Sequence, residues 1–378
     1  MRITLIMVLS GIAVFWILMY LLFGRNPEEK EEGLEVDGIV AMWRTKRLLG
    51  FIEGIARRYR RFWGIYGDVG IVLGFAGMAF VFYMLFKTAM KTVTSRGAAA
   101  GVQLVIPGVT IPLWYGLIGL AVVLVVHELS HGVVARADGI PLKSVGLVLF
   151  LVLPGAFVEP DEDAINRAPL RKRLRVYGAG SMANIVTALI ALLIINLAIA
   201  PLLQPNGVQV AGVVPGSPAD GVLQKGDVIV GIDGHQITTV EGFMKFMNTT
   251  KPEQVITLQI LRGGKETEVR IRLKEHPERP GKGYIGIYPA QSVKSKIGGE
   301  SAVIPLFFTL YWIYVLNIGI GLMNLFPLVP LDGGKMLDDV VKEYLPERVA
   351  RPVRYATIGV ALFLLALNLL PAFRNLLG

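Results

Sequence analysis

Six long apolar runs leave this chain few folds to choose from. They read at 3–24, about 68–86, 112–136, 176–201, 303–326 and 355–371, and a helix of roughly 20 residues crosses about 30 Å of hydrocarbon. No water is available there, so every backbone N–H and C=O must pair within its own segment, and such runs fold as packed helices. The first, ITLIMVLSGIAVFWILMYLLFG, is too long for a signal-peptide core and no small-residue cleavage site follows it, which reads as a retained anchor. The expected fold class is a polytopic α-helical membrane protein with about six transmembrane helices.

Charge gives the chain an orientation. A formal net charge of +9 would suit a nucleic-acid binder, but its distribution is that of a multi-pass membrane protein, so no nucleic-acid partner is expected. Segment 25–67 carries Arg25, Lys30, Arg44, Lys46, Arg47, Arg57, Arg58, Arg60 and Arg61, whereas 87–111 has Lys87, Lys91 and Arg96. Segments 136–175, with the run RKRLR, and 327–354 are again basic. Loops alternately rich and poor in Lys and Arg place the rich ones in the cytoplasm, and both termini and 202–302 outside. FIEGIARRYRRFWGIY (51–66) is expected to lie on the membrane surface as an amphipathic helix.

Two segments depart from the helical pattern. SVGLVLFLVLPGAFVEP (144–160) is too short for a span, carries Pro154 and Gly155, and is read as a re-entrant hairpin beside the third span. Segment 206–275 changes character to short Val/Ile runs punctuated by Gly and Pro, with helical spacing in EGFMKFMNT and a hairpin pattern in VITLQILRGG–KETEVRIRL. It reads as an inserted soluble α/β module on the outer side. The expected organisation is 1–111, two N-terminal helices with a basic cytoplasmic loop; 112–201, the first part of a membrane core; 202–280, the extracytoplasmic module; 281–340, a linker and a helix ending in LDGG; and 341–378, a C-terminal helix.

The third run contains VVHELSH. With no cysteine in the chain, disulfide frameworks, thiolate catalysis and Cys-type zinc sites are excluded, which leaves imidazole and carboxylate donors. On a helix His127 and His131 share a face, and Glu128 lies near but off that pair. H-E-x-x-H supplies two imidazoles to zinc and a carboxylate beside the bound water, whose pKa the metal lowers to about 7 so that the glutamate can pass its proton to a leaving amine. A histidine on an apolar helix is more often a satisfied core residue, and the pattern also arises by chance in soluble chains. Here two of the four histidines fall in it, within a run where a charge costs about 2.5–3.5 kcal/mol or more. Two ligands do not hold a catalytic zinc. The candidate third is Asp332 in NLFPLVPLDGGK, at the end of the fifth span, where prolines break the helix and Gly333 and Gly334 let the backbone turn closely; alone, it would merely cap a turn. His235 and His276 are read as surface residues.

HELSH at 127–131, NLFPLVPLDG at 324–333 and GAGSMANIVTAL at 178–189 together resemble the site-2 protease family of intramembrane zinc metalloproteases. The resemblance implies one Zn2+ per chain on His127, His131 and Asp332, with Glu128 as general base to a zinc-bound water. Asn184 and Asn324 would hold the substrate backbone or the developing oxyanion, although small-residue helix packing would also account for Asn184. It also implies a membrane-dipping hairpin after the catalytic helix. VAGVVPGSPADGVLQKGDVIVGIDG (210–234) is similar to a PDZ core, which would take a peptide or ectodomain segment by strand addition or act as a size filter. The implied activity is hydrolysis of peptide bonds in or near transmembrane helices of membrane-tethered regulatory proteins, with the active site toward the cytoplasm. The alternatives are an inactive PDZ-bearing membrane scaffold and a different membrane zincin, against which stand the intact Glu128 and an aspartate in place of a third-ligand glutamate. The first two spans carry no family motif.

Overall fold

The computed structural model describes residues 2–24, 32–94, 102–151 and 153–377; Arg25, Lys30 and Arg96 of the topology reading lie outside them. The chain divides into two compact units, Met1–Leu192 with Thr309–Gly378, and Leu193–Phe308. In chain order the first unit begins with α1 (Arg2–Phe23), β1 (Gly33–Asp37), β2 (Val40–Thr45), α2 (Leu49–Arg58), α3 (Arg60–Thr94) and α4 (Leu113–Ala137). It continues with β3 (Leu142–Phe150), β4 (Leu153–Pro160), α5 (Glu162–Arg167) and α6 (Leu170–Ile194). The second unit contains β5 (Leu203–Val213), β6 (Val228–Ile232), β7 (His235–Gln236), α7 (Val240–Met247), β8 (Val255–Arg262), β9 (Lys265–Arg272), β10 (Lys274–His276), β11 (Arg279–Tyr284) and β12 (Ile287–Ser295). The chain then forms α8 (Glu300–Asn324), α9 (Asp332–Tyr344) and α10 (Glu347–Leu377).

Among the described residues five helices are long and apolar enough to cross a bilayer: α3, α4, α6 extended to Leu202, α8 from Ser301, and α10 to Pro371. The sixth expected span, 3–24, coincides with α1, whose side chains are described from Ser10 onward. The chain is thus a multi-pass membrane protein. The single surface helix expected over 51–66 is instead broken at Tyr59. Ile52 and Ala56 of α2 are fully buried against Val133, Ala137 and Val145, so this stripe docks on protein, while Phe51, Phe62 and Ile65 of the segment are exposed.

The expected hairpin over 144–160 forms as β3 and β4, but it belongs to a larger antiparallel sheet of order β1-β2-β3-β4. The added hairpin lies in the segment read as a basic loop. Its two-residue turn puts Gly38 at φ +54, a conformation that favours glycine and for which LEVDGIVAMW is a hairpin signal. Pairing places Met42, Arg44, Phe157 and Glu159 on one face of the sheet, and Val145 and Val158 on the other, against α2 and α4.

The second unit is a soluble, β-rich PDZ-like domain. Its main sheet runs β12-β5-β6-β8-β9, with β7 on β6 and a β10–β11 ribbon beside it. Val208, Val210, Ile229, Ile256, Leu258 and Ile260 are fully buried and form its core with Phe243 of α7. The sheet does not stop at residue 280, because β12 pairs with β5 from Ile287 to Ser295. That closing strand belongs to the domain rather than to a linker.

Candidate metal centre

Helix α4 delivers its two imidazoles as the four-residue spacing requires. His127 and His131 are largely buried, with Nε2 atoms 3.1 Å apart. Asp332 comes from elsewhere than expected. α8 ends at Asn324, and the carboxylate sits on the first residue of α9, after a loop that buries Leu325 and Phe326 completely. This loop explains the two glycines that follow. A Cβ on Gly333 would collide with the Leu325 carbonyl, and one on Gly334 with the Leu328 backbone. The turn is thereby pressed against the chain behind it, and Asp332 Oδ2 comes within 3.1 Å of His127 Nε2 and 3.2 Å of His131 Nε2.

The floor beneath the imidazoles is α6. Val176, Gly180 and Asn184 recur every four residues and form one stripe. A side chain on Gly180 would collide with both imidazoles, so only glycine lets the helices approach this closely. On either side of it, the Val176 carbonyl accepts from His131 Nδ1 at 2.7 Å and the Asn184 amide lies 3.1 Å from His127 Nδ1. Ser130 Oγ donates to the Ala179 carbonyl at 2.9 Å, a further tie between α4 and α6.

These contacts test whether a metal fits. A carbonyl can only accept, so His131 Nδ1 carries a proton, and in the neutral ring the Nε2 lone pair faces Asp332. The buried Asp332 Oδ2 has no hydrogen-bond donor. Lys335 Nζ stands 4.0 Å from the other carboxylate oxygen, too far for a hydrogen bond. The three atoms form a triangle with sides of 3.1–3.2 Å, close to the roughly 3.3 Å ligand–ligand separation of a tetrahedral zinc with bonds of about 2.0 Å. Two imidazoles and one carboxylate that converge in this way suit a divalent cation with an open coordination position.

A cavity of about 960 Å³ opens over the triangle. Glu128 lines it, and its carboxylate accepts from the Val158 backbone N–H of β4 at 3.2 Å. Asn324, Tyr177 and Lys335 also face it, as do Met42 and Arg44 from β2. Asn184 does not; it is fully buried behind His127. The sequence reading missed Val158, Val176, Gly180 and the β2 residues. Backbone groups leave no residue-type signal, but the V-x3-G-x3-N spacing of 176–184, matched against H-x3-H, was readable. His235 and His276 lie in the PDZ-like domain, where their Nδ1 atoms bond to the backbone of Asp233 and Glu278 and their rings pack against Phe246 and Tyr284.

The family model of peptidase family M50 matches residues 115–367, two thirds of the chain, from the start of α4 into α10. The chain belongs to peptidase family M50. It is similar to an uncharacterized protein of Methanocaldococcus jannaschii, 30% identical over 325 residues that cover 85% of this chain and 81% of that one. A membrane-bound transcription factor site-2 protease homolog of Arabidopsis thaliana is 28% identical over 202 residues, 50% of this chain and 39% of that protein. Among solved structures, the PDZ domain of an SdrC-like protein from Listeria monocytogenes is 28% identical, with 22% of this chain and 88% of that domain covered and a TM-score of 0.21. The site-2 protease resemblance stated from the sequence holds, and the chain is an M50 membrane metalloprotease.

Proposed function

We propose that this M50 protease hydrolyses peptide bonds in or near transmembrane helices of membrane-tethered proteins, with one zinc held by His127, His131 and Asp332. The convergence of the three ligand atoms at the floor of a cavity lined by Glu128 carries this reading. When bound there, zinc supplies Lewis acidity that acidifies water and polarises a carbonyl. Glu128 takes the proton of the attacking water and delivers it to the leaving amine nitrogen, so that it acts first as base and then as acid. Asn324, at the end of α8 on the cavity wall, donates from its amide to the substrate carbonyl.

A substrate helix has no free backbone groups until it unwinds. β4 is the inner edge of its sheet, and its Val158 N–H points away from β3 toward the cavity, so an unwound segment can add along this edge. In the PDZ-like domain β12 is likewise an edge, available to a peptide or ectodomain segment. The Lys/Arg distribution puts the metal centre toward the cytoplasm and the PDZ-like domain on the extracytoplasmic side of the membrane.

The test is purified protein with Glu128→Gln, assayed on a model transmembrane substrate and for metal content. We expect one zinc per chain and cleavage reduced about 10²–10⁴-fold. Cleavage at the parental rate would overturn the assignment of the base, and stoichiometric zinc in His127→Ala and Asp332→Ala would overturn the site.

A further inference from the structure

We infer that Asn184 is a positioning residue for the metal ligand His127, accepting the proton of its Nδ1 and thereby holding the Nε2 lone pair on the metal. The inference rests on the zinc reading above but assigns Asn184 a role other than substrate contact. Three observations carry it. The Asn184 side chain has no exposed surface and does not line the cavity, so a substrate strand has no access to it. Its amide is 3.1 Å from His127 Nδ1, and its Oδ1 has no hydrogen-bond donor. Finally, the partner ring is held in the same way, with His131 Nδ1 on the Val176 carbonyl two helical turns along the same stripe of α6.

The tautomer follows from donor and acceptor chemistry. If the Asn184 NH2 group donated to Nδ1, the neutral ring would carry its proton on Nε2, aimed at Asp332 and blocking the metal. With the amide turned so that Oδ1 faces the ring, Nδ1–H donates to it, the orphaned oxygen gains a donor and Nε2 is free to bind. A ligating histidine whose second nitrogen donates to a fixed acceptor is oriented and made more basic, and loss of such a partner costs about 10–100-fold in metal affinity. One helix thus sets both tautomers, with Gly180 between them to keep the rings in contact range.

The experiment compares Asn184→Leu, Asn184→Ala and Asn184→Asp in the full-length protein, with zinc affinity read by chelator competition and the ligand field by the visible spectrum after cobalt substitution. Leu and Ala remove the acceptor and should weaken zinc about 10–100-fold and change the cobalt spectrum. Asp keeps an acceptor at nearly constant volume and should bind zinc at least as tightly as the parent. Should Leu misfold, Ala and Asp still give opposite expectations. Zinc affinity within about twofold of the parent in Ala or Leu, with only KM raised, would overturn the inference in favour of substrate contact. Weakening by Asp equal to that by Ala would overturn it as well. A parent protein whose zinc affinity does not respond to His127→Ala would instead sink the metal reading, a distinct failure.

Discussion

Asp332 and Asp227 are the two buried carboxylates among the described residues, one in each unit, and their surroundings differ in kind. Asp227, at the start of the β6 region of the PDZ-like domain, accepts from Arg262 through both oxygens at 2.8 and 2.6 Å, and from the Gln224 N–H at 2.9 Å. The guanidinium beside it holds its carboxyl below the usual carboxylate range. This is a finished structural pair that ties β8 to the turn before β6. Asp332 faces two imidazole Nε2 atoms and has an oxygen with no donor. A buried polar group left unpaired costs about 1–3 kcal/mol, and a charge more. Such an arrangement persists in a folded protein when something absent from the polypeptide completes it. One carboxylate has its cation in the chain, and the other leaves an oxygen unpaired, as the proposed zinc site would need.

The contrast is breakable, and the largest effect is expected at the metal centre. Asp332→Ala should take zinc from one per chain to near zero and abolish cleavage while the chain still inserts and purifies; metal analysis of the purified protein decides it. Glu128→Gln follows, with cleavage reduced about 10²–10⁴-fold at unchanged zinc content. Asp227→Ala should do the reverse. It should leave zinc content intact and destabilise the PDZ-like domain by about 1–3 kcal/mol, read as faster hydrogen exchange in β6 and β8 of the full-length protein. The smallest effect is a pH dependence. Because the folded carboxyl of Asp227 is held below its unfolded value of about 3.9, its contribution to stability is present above that value and is lost as pH falls from there through the folded value. Domain protection should therefore decline below about pH 4, and Asp227→Asn should flatten that limb. A domain whose acid sensitivity is unchanged in Asp227→Asn would show that other carboxylates govern it.

The sites differ as well in how far the linear chain announces them. HELSH is local, since one helix presents both imidazoles and the spacing alone gives their shared face. Asp332 was legible as a candidate ligand through the LDGG pattern but not in its placement, because the end of α8 and the start of α9 are set by how the 325–331 loop packs. The domain hairpin β8–β9 was legible from strict alternation around Gly263–Gly264. β12 was not, because its partner β5 is more than seventy residues earlier in the chain. The β1–β2 hairpin carried its Gly38 turn in plain view, yet the basic residues around it dominated the reading.

The order of apolar runs determines by itself that this is a multi-pass membrane protein, and its motifs determine the chemistry. Both are local properties, written in segment length and residue spacing. Tertiary structure alone decides that Asp332 meets two imidazoles about 200 residues away, that β2 contributes Arg44 and Met42 to the cavity, and that Asn184 is buried behind His127 rather than facing the cavity. Those outcomes depend on which faces meet at contact distance. Pairing between distant segments is set by the packing of the whole unit and not by the local pattern of any one of them.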